Sequence, residues 1–461
     1  MNISYDVRIH NIEKRRNSAG QITSCRVSWK VNGIPWKERF STFALADTFR
    51  SELMAAARRG EAFDVATGRP VSWKREETAL TWFAFTLAYA EAKWKHASPN
   101  HRRGIAEALT DATEALLIGV DRGPERESRR AALRWAYSNR IRDGLAEPPA
   151  SLAMAYRWLE SNTILMTAFE EASGKGSGLA RSVLDRISST KNGKIAAAAT
   201  TTRKRATVNN AMEYAIEIGA LSSNPLKAVK WTRPRLLASV DPRVVINIGQ
   251  ARRFLGAVEQ RAERGKRMKA FFGCMYFAAL RPEEVVDLRE EHLASLPEGA
   301  WGEMQLTNAE PRAGSRWTDS GRVRERRGLK HRAEGDTRPV PIHPELGAML
   351  RAHIDEFGTG PGGRIFIGPR GGLMTDRAYL KVFHEAREKA FTVAEAKSPL
   401  MAVPYDLRHA AVSTWLNAGV PAPQVAQWAG HSVDVLLRVY AKCIHGQQDA
   451  AMKRIWDATR E

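Results

Sequence analysis

Strand-like alternation of apolar and polar positions is concentrated at the start of the chain. Residues 7–9, 22–31 and 35–40 alternate or favour β-forming side chains. Turn signals fall at 17–20 and at Asn32-Gly33; Asn-Gly between two such runs is the strongest short hairpin signal. Ser41 or Thr42 then caps a predicted helix over 43 to about 58. Gly68 and Pro70 interrupt the pattern, so 64–75 reads as a linker. From 78 to about 229 the sequence is helical and alanine-rich, opening with Trp82, Phe83, Phe85, Leu87 and Tyr89. One helix begins near Thr200 and closes at Gly219 and Asn224-Pro225. A second linker spans 231–242, with Pro234 and Pro242, and mixed helix with a small sheet follows. The expected fold is multidomain α+β. A small three-stranded sheet plus helix (1–64) precedes an all-α domain (76–232) and a mixed, mainly α domain with a small antiparallel sheet (243–461). The segment 122–149 makes the helical part long and has no evident role.

Length supports this division, because 461 residues exceed what one core usually organises. Charge adds a partner. Lys plus Arg number 71 against 51 for Asp plus Glu, a formal +20, and such a chain favours a polyanion, nucleic acid first. Lys14, Arg15, Arg16, Arg26, Lys30 and Lys37 load the sheet and its first turn, and Arg203, Lys204 and Arg205 lie early in the helix near 200. These are the candidate DNA contacts. The first residues lack an apolar signal region, and the longest nearly apolar run, 270–280, is too short to span a bilayer. No membrane partner is expected. Cys25, Cys274 and Cys443 are far apart and odd in number, with neither metal-ligand spacing nor a disulfide framework. A reducing cytoplasm is the expected compartment, and no metal is expected.

The chemistry concentrates near the end. Tyr405-Asp406-Leu407-Arg408-His409 is followed by Ala429-Gly430-His431-Ser432 and by Arg438-Val439-Tyr440. Gly419 suits the end of a helix starting near 407, Gly430 the end of the next, and Ser432 the cap of a third. His431 is thereby fixed in a tight turn. An arginine, a histidine and a tyrosine so placed suit attack of a phenol on a phosphodiester. A tyrosine with an ordinary pKa of about 10 is a weak nucleophile and needs a neighbour to take its proton. Negative charge grows on the phosphate, so cationic donors must already be in place, and the planar fork of arginine binds two oxygens at once. A second arginine is available upstream in Leu280-Arg281-Pro282-Glu283-Glu284. There Pro282 suits the first helical position and the acidic pair the first turn.

These boxes resemble the tyrosine recombinase family, of the phage- or integrative-element-type integrases. The resemblance covers nearly the whole chain, although only the catalytic boxes are specific. It implies that Arg281 and Arg408 hold the phosphate, Glu284 braces the arginines, His431 assists and Tyr440 is the nucleophile. Within Leu329 to Ile342, Lys330 would be the general acid for the leaving 5′ oxygen, with Arg332 a DNA contact beside it. Tyr405 stands where the family often has histidine; a phenol can donate to a phosphate but is no base near neutral pH. Proton removal from Tyr440 then falls to His431 or solvent, and His409 and His445 read as packing or surface residues. By the same resemblance, 1–64 is an arm-type DNA-binding domain, 76–232 a helical core-binding (SAM-like) domain and 243–461 the catalytic domain.

The implied activity is integration or excision of a mobile element through a 3′-phosphotyrosyl intermediate, with no cofactor. The implied partners are double-stranded DNA at core and arm-type sites, three further copies in a tetramer, and an excisionase or DNA-bending protein, all in a bacterial cytoplasm. The end of the chain, 450–461, is amphipathic through Met452, Ile455 and Trp456, and is expected to pack on its own domain or on a neighbouring copy. Three rivals are a type IB topoisomerase-like strand relaxer, a catalytically silent DNA-binding regulator and a basic RNA-binding protein. The arm-like sheet and the Gly-His-Ser…Tyr box argue against the first. The intact Arg281, Arg408, His431 and Tyr440 argue against the second. The third gives Tyr440 no role.

Overall fold

The structure, a computed structural model, describes residues 2–16, 22–71, 73, 80–171, 175–232, 234, 239–329, 335–368, 371–444 and 448–460. It divides into two compact units, Met1–Pro234 and Arg235–Glu461. Architecture is mixed and mainly helical with small antiparallel sheets, as the periodicity predicts. Among the described residues no helix is long and apolar enough to cross a membrane.

The first unit opens with a sheet of β1 (Val7–Ile9), β2 (Glu13–Arg16), β3 (Ile22–Val31) and β4 (Ile34–Phe40). The long β3 pairs with β4 along one edge; β1 and β2 share the other edge in succession. The expected three-stranded sheet therefore has one edge in two pieces, and the basic run Lys14 to Arg16 is strand rather than turn. Asn32 and Gly33 take positive φ angles of 48° and 78°, the geometry a two-residue hairpin demands. Along β3, Cys25, Val27, Trp29 and Val31 face the core. Helix α1 (Phe43–Arg58) covers them, capped by the Thr42 hydroxyl, which accepts from the Leu45 amide. The expected linker is partly built in: Val65 belongs to this core, and Trp29 donates its indole N–H to the Gly68 carbonyl.

Helices α2 (Trp82–Trp94), α3 (Pro99–Glu114), α4 (Arg126–Ala136), α5 (Ala150–Ser161), α6 (Lys175–Ile187) and α7 (Ala198–Glu217) are the longer helices that follow in this unit. Helix α4 lies in the unassigned segment, which proves structural. It buries Leu133, Trp135 and Ala136 and brings Arg130 to α3, where the guanidinium donates to Asp111 at 2.9 Å and pairs with Glu114. Arg126 and Arg186 also donate to Glu114, at 2.8 and 2.9 Å, and Lys204 pairs with Asp111.

The second unit is built on α8 (Ile248–Glu259), α9 (Ala262–Phe277) and the short α10 (Pro282–Val286). A three-stranded antiparallel sheet follows, formed by β5 (Leu293–Ser295), β6 (Gly302–Leu306) and β7 (Arg338–Ile342). Next come α11 (Pro344–Phe357) and α12 (Asp376–Ala390), then α13 (Tyr405–Asn417), α14 (Ala422–Ala429), α15 (Val433–Tyr440) and α16 (Gln448–Ala458). Phe254, Phe271, Phe272 and Phe383 pack at the centre of its core. On β7 the inward positions are Arg338, Val340 and Ile342, all buried. An arginine thus occupies the end of an apolar row.

Candidate active site

Arg281, His431 and Tyr440 are placed by local rules of helix ends. Pro282 starts α10, so Arg281 stands at its entrance, where its amide donates to the Glu284 carboxylate at 2.8 Å. Just before it, Ala279 takes a left-handed φ of 51°, a conformation that strains any residue with a Cβ. This turns the Ala279 carbonyl toward Arg408 on α13, which donates to it. Gly430 ends α14 with a left-handed φ of 65°, and Ser432 caps α15 by accepting from the Val435 amide. His431 is held between them, as the sequence predicts, and Tyr440 is the last residue of α15.

Glu284 is the hub. Arg281 donates to it at 2.7 Å and to the Gly430 carbonyl at 2.8 Å. Arg338 grips the same carboxylate with both terminal nitrogens, at 2.8 and 2.7 Å. Burial alone would push the Glu284 carboxyl up, but the charges of Arg338 and Arg281 overcome it and hold the group well below the usual carboxylate range. Arg408 differs. It is 0% exposed and among the described residues touches no carboxylate; it donates to the Ala279 and Ala429 carbonyls and to His431 Nε2 at 2.9 Å. Burial first, and then the charge of Arg281, lower its hold on its proton.

Arginine only donates, so His431 Nε2 is an acceptor and the ring proton sits on Nδ1. Burial, with the neighbouring charge of Arg408, pushes the His431 pKa down to about 3, so the ring is neutral. Its ring stacks against Tyr440 with centroids 6.0 Å apart. Tyr440 is 1% exposed, and burial raises its phenol above the ordinary tyrosine value. The Tyr440 hydroxyl lies 2.9 Å from His409 Nδ1. Tyr405 lies edge-on to His409 at 5.0 Å, with the Arg408 guanidinium 5.8 Å from its ring.

The structure therefore gathers Arg281, Glu284, Tyr405, Arg408, His431 and Tyr440. It adds two residues that sequence reasoning passed over. His409, expected to be packing or surface, holds the Tyr440 hydroxyl. Arg338, unremarked, clamps Glu284; its signal was its phase with Val340 and Ile342. Lys330, Arg332 and His445 lie outside the described residues.

The candidate DNA contacts divide. On the open face of the sheet, strand pairing sets Arg8 beside Lys30, Ser28 beside Lys37, and Arg26 between Glu13 and Arg39. Arg15 is opposite Ser24 on the same face. Lys14 turns the other way, its ammonium 4.2 Å from the Phe43 ring centroid, and Arg16 is exposed. In α7, Arg203 approaches Glu107 at 3.7 Å, Arg205 lies 4.6 Å from the Trp231 ring, and Lys204 is engaged with Asp111.

The sequence matches no protein-family model and no curated protein. Among solved structures, it is similar to part of the Tn1549 transposon integrase in complex with transposon right-end DNA, at 16% identity, TM-score 0.47, over 71% of this chain and 99% of that one. The XerH site-specific recombinase bound to palindromic difH substrate gives 12% identity and TM-score 0.49, over 82% and 96%. A lambda integrase dimer bound to a COC′ core site gives 11% identity and TM-score 0.46, over 97% and 95%.

Proposed function

We propose that this chain is a site-specific DNA recombinase of the tyrosine type. It cleaves one strand through Tyr440, forms a 3′-phosphotyrosyl bond, and passes the strand to a partner duplex to integrate or excise a mobile element. The observation that carries this reading is the convergence of Arg281, Arg408, His431 and Tyr440 around the Glu284–Arg338 brace. Two cationic forks beside a phenol are what attack on a phosphodiester requires, because they stabilise the charge that develops on the phosphate. Lys330 is the proposed proton donor to the leaving 5′ oxygen. Energy is conserved in the phosphotyrosyl bond, so the chemistry needs no nucleotide cofactor.

The domain roles follow from the same reading. The basic open face of the N-terminal sheet supports an arm-type DNA site for 1–64, with 76–232 as core-binding domain and 243–461 as catalytic domain. Helix α16 exposes Met452, Ile455 and Trp456 at 53%, 64% and 59%, an uncovered apolar face that supports docking on a second copy within a tetramer. Excisionase or DNA-bending partners, and a bacterial cytoplasm as the place of action, belong to this proposal.

The test uses a duplex spanning the end of the element that encodes the chain, nicked near the crossover to trap cleavage. It is incubated with wild type and with Tyr440→Phe in EDTA and run on denaturing gels. Wild type is expected to give a covalent adduct, and the variant none, with DNA binding intact. Tight, specific binding without an adduct from either protein would make the chain a silent DNA-binding regulator.

A further inference from the structure

A phenol that attacks phosphorus must lose its proton, and the residues around Tyr440 limit where that proton can go. His431 is excluded: its Nε2 already accepts from Arg408, and its Nδ1 carries hydrogen. Tyr405 is a phenol and donates rather than accepts a proton at neutral pH. The Tyr440 hydroxyl is buried away from solvent and, among the described residues, has one imidazole nitrogen within hydrogen-bond reach, His409 Nδ1 at 2.9 Å. The rigid α13 that carries Arg408 also carries His409, so the phosphate anchor and the partner of the nucleophile move as one body.

We infer that His409 accepts the proton of Tyr440 as the phenol attacks, an assignment that rests on the recombinase reading above. In the forward step the Tyr440 O–H bond breaks and its proton passes to His409 Nδ1. The freed oxygen pair forms the new O–P bond, the P–O5′ bond breaks, and the leaving oxygen takes a proton from the donor proposed at Lys330. In the reverse step a 5′-hydroxyl gives its proton back to the group proposed at Lys330 and its oxygen forms the new P–O5′ bond; the tyrosyl–phosphorus bond breaks, and His409 returns its proton to Tyr440.

The charged and titratable groups around this pair are Tyr405 and Arg408 on α13, His431 in the turn, Arg281 at the α10 entrance and Cys443 after α15. Burial, and then Arg408, hold the His409 pKa down at about 4, so the ring is neutral across the physiological range.

The experiment measures covalent adduct formation on the nicked element-end duplex against pH, for wild type and His409→Asn, with DNA affinity measured alongside. Asparagine keeps a hydrogen-bonding atom near the Nδ1 position but is no base. Wild type is expected to hold a level rate that falls as pH drops toward the His409 value. His409→Asn is expected to bind DNA normally and form adduct at least ~10²-fold more slowly, the usual scale of a general base. Its rate should climb in proportion to hydroxide. An Asn variant with wild-type rate and profile overturns the assignment while leaving the recombinase reading intact. A wild type that binds but forms no adduct overturns both. Should the Asn variant lose DNA binding, His409→Gly with added imidazole decides: rescue that rises with the imidazole base supports the assignment, and no rescue overturns it.

Discussion

Each unit buries a cluster of cations around carboxylates, and the two clusters are balanced differently. In the first unit every cation touches a carboxylate: Arg126, Arg130 and Arg186 meet Glu114, and Lys204 meets Asp111. Its outer member, Arg126, keeps its side chain 41% exposed, so part of the positive charge stays hydrated. In the second unit one carboxylate, Glu284, serves Arg281 and Arg338, while the fully buried Arg408 hydrogen-bonds, among the described residues, to carbonyls and a neutral imidazole. The Glu284 charge reaches Arg408 without touching it, and a buried charge with no ion pair in contact is expensive to maintain. Such an imbalance is tolerated where a ligand of opposite sign supplies what is missing. The first cluster ties four helices together, whereas the second, on the function proposed above, receives the phosphate.

Four substitutions sharpen that contrast, and the largest effect belongs to Arg408→Met. It should lower the adduct rate by about 10²–10³-fold or more, the scale for losing one preplaced donor. Stability should change little, because removal of a buried charge that has no ion pair in contact offsets the hydrogen bonds lost. Rates from denaturing gels and a urea titration check both; near-normal cleavage would remove Arg408 from the chemistry.

Arg130→Met should do the reverse. It breaks a buried pair and costs about 3–5 kcal/mol of stability, while activity per folded molecule stays normal. The same cluster gives a pH signature. Burial would raise the Glu114 carboxyl, but hydrogen bonds from Arg126, Arg130 and Arg186 outweigh it and hold the pKa at about 2. A depressed carboxylate stabilises fully above its unfolded value of about 4.3, and that stability drains as pH falls toward the folded value. Acid unfolding of wild type, followed by tryptophan fluorescence, should show this window. Glu114→Gln should flatten it, and an unchanged curve would show that the cluster contributes nothing.

The smallest effect is at Ala279. Glycine there removes a left-handed strain of about 1–2 kcal/mol at an entropic penalty of about 0.4–1 kcal/mol. Ala279→Gly should therefore stabilise slightly without altering cleavage. Marked destabilisation would mean that the methyl group packs more strongly than the turn strains.

What the sequence made legible follows the range of the interactions involved. Pro282, Gly419, Gly430 and Ser432 act within one helical turn, so the positions of Arg281, His431 and Tyr440 could be anticipated from them. Arg338 meets Glu284 across 54 positions, through a strand register that composition does not announce; only its phase with two apolar neighbours marked it. His409 meets Tyr440 across 31 positions, and its role depends on how α13 and α15 pack. The segment 122–149 stayed opaque for the same reason: the partners of Arg130 lie on α3. The split edge of the sheet was missed because a run of three basic residues reads as turn or solvent-facing strand equally well.

Gly430 carries a consequence for genetics. A Cβ at that position would come within 2.5 Å of Arg338 Nη1, on a backbone already left-handed. In a random-mutagenesis screen for lost recombination, almost any codon change at 430 should therefore score beside Tyr440 itself. Such a map would mark as a reactive centre a residue that takes no part in the chemistry and only shapes the turn around it.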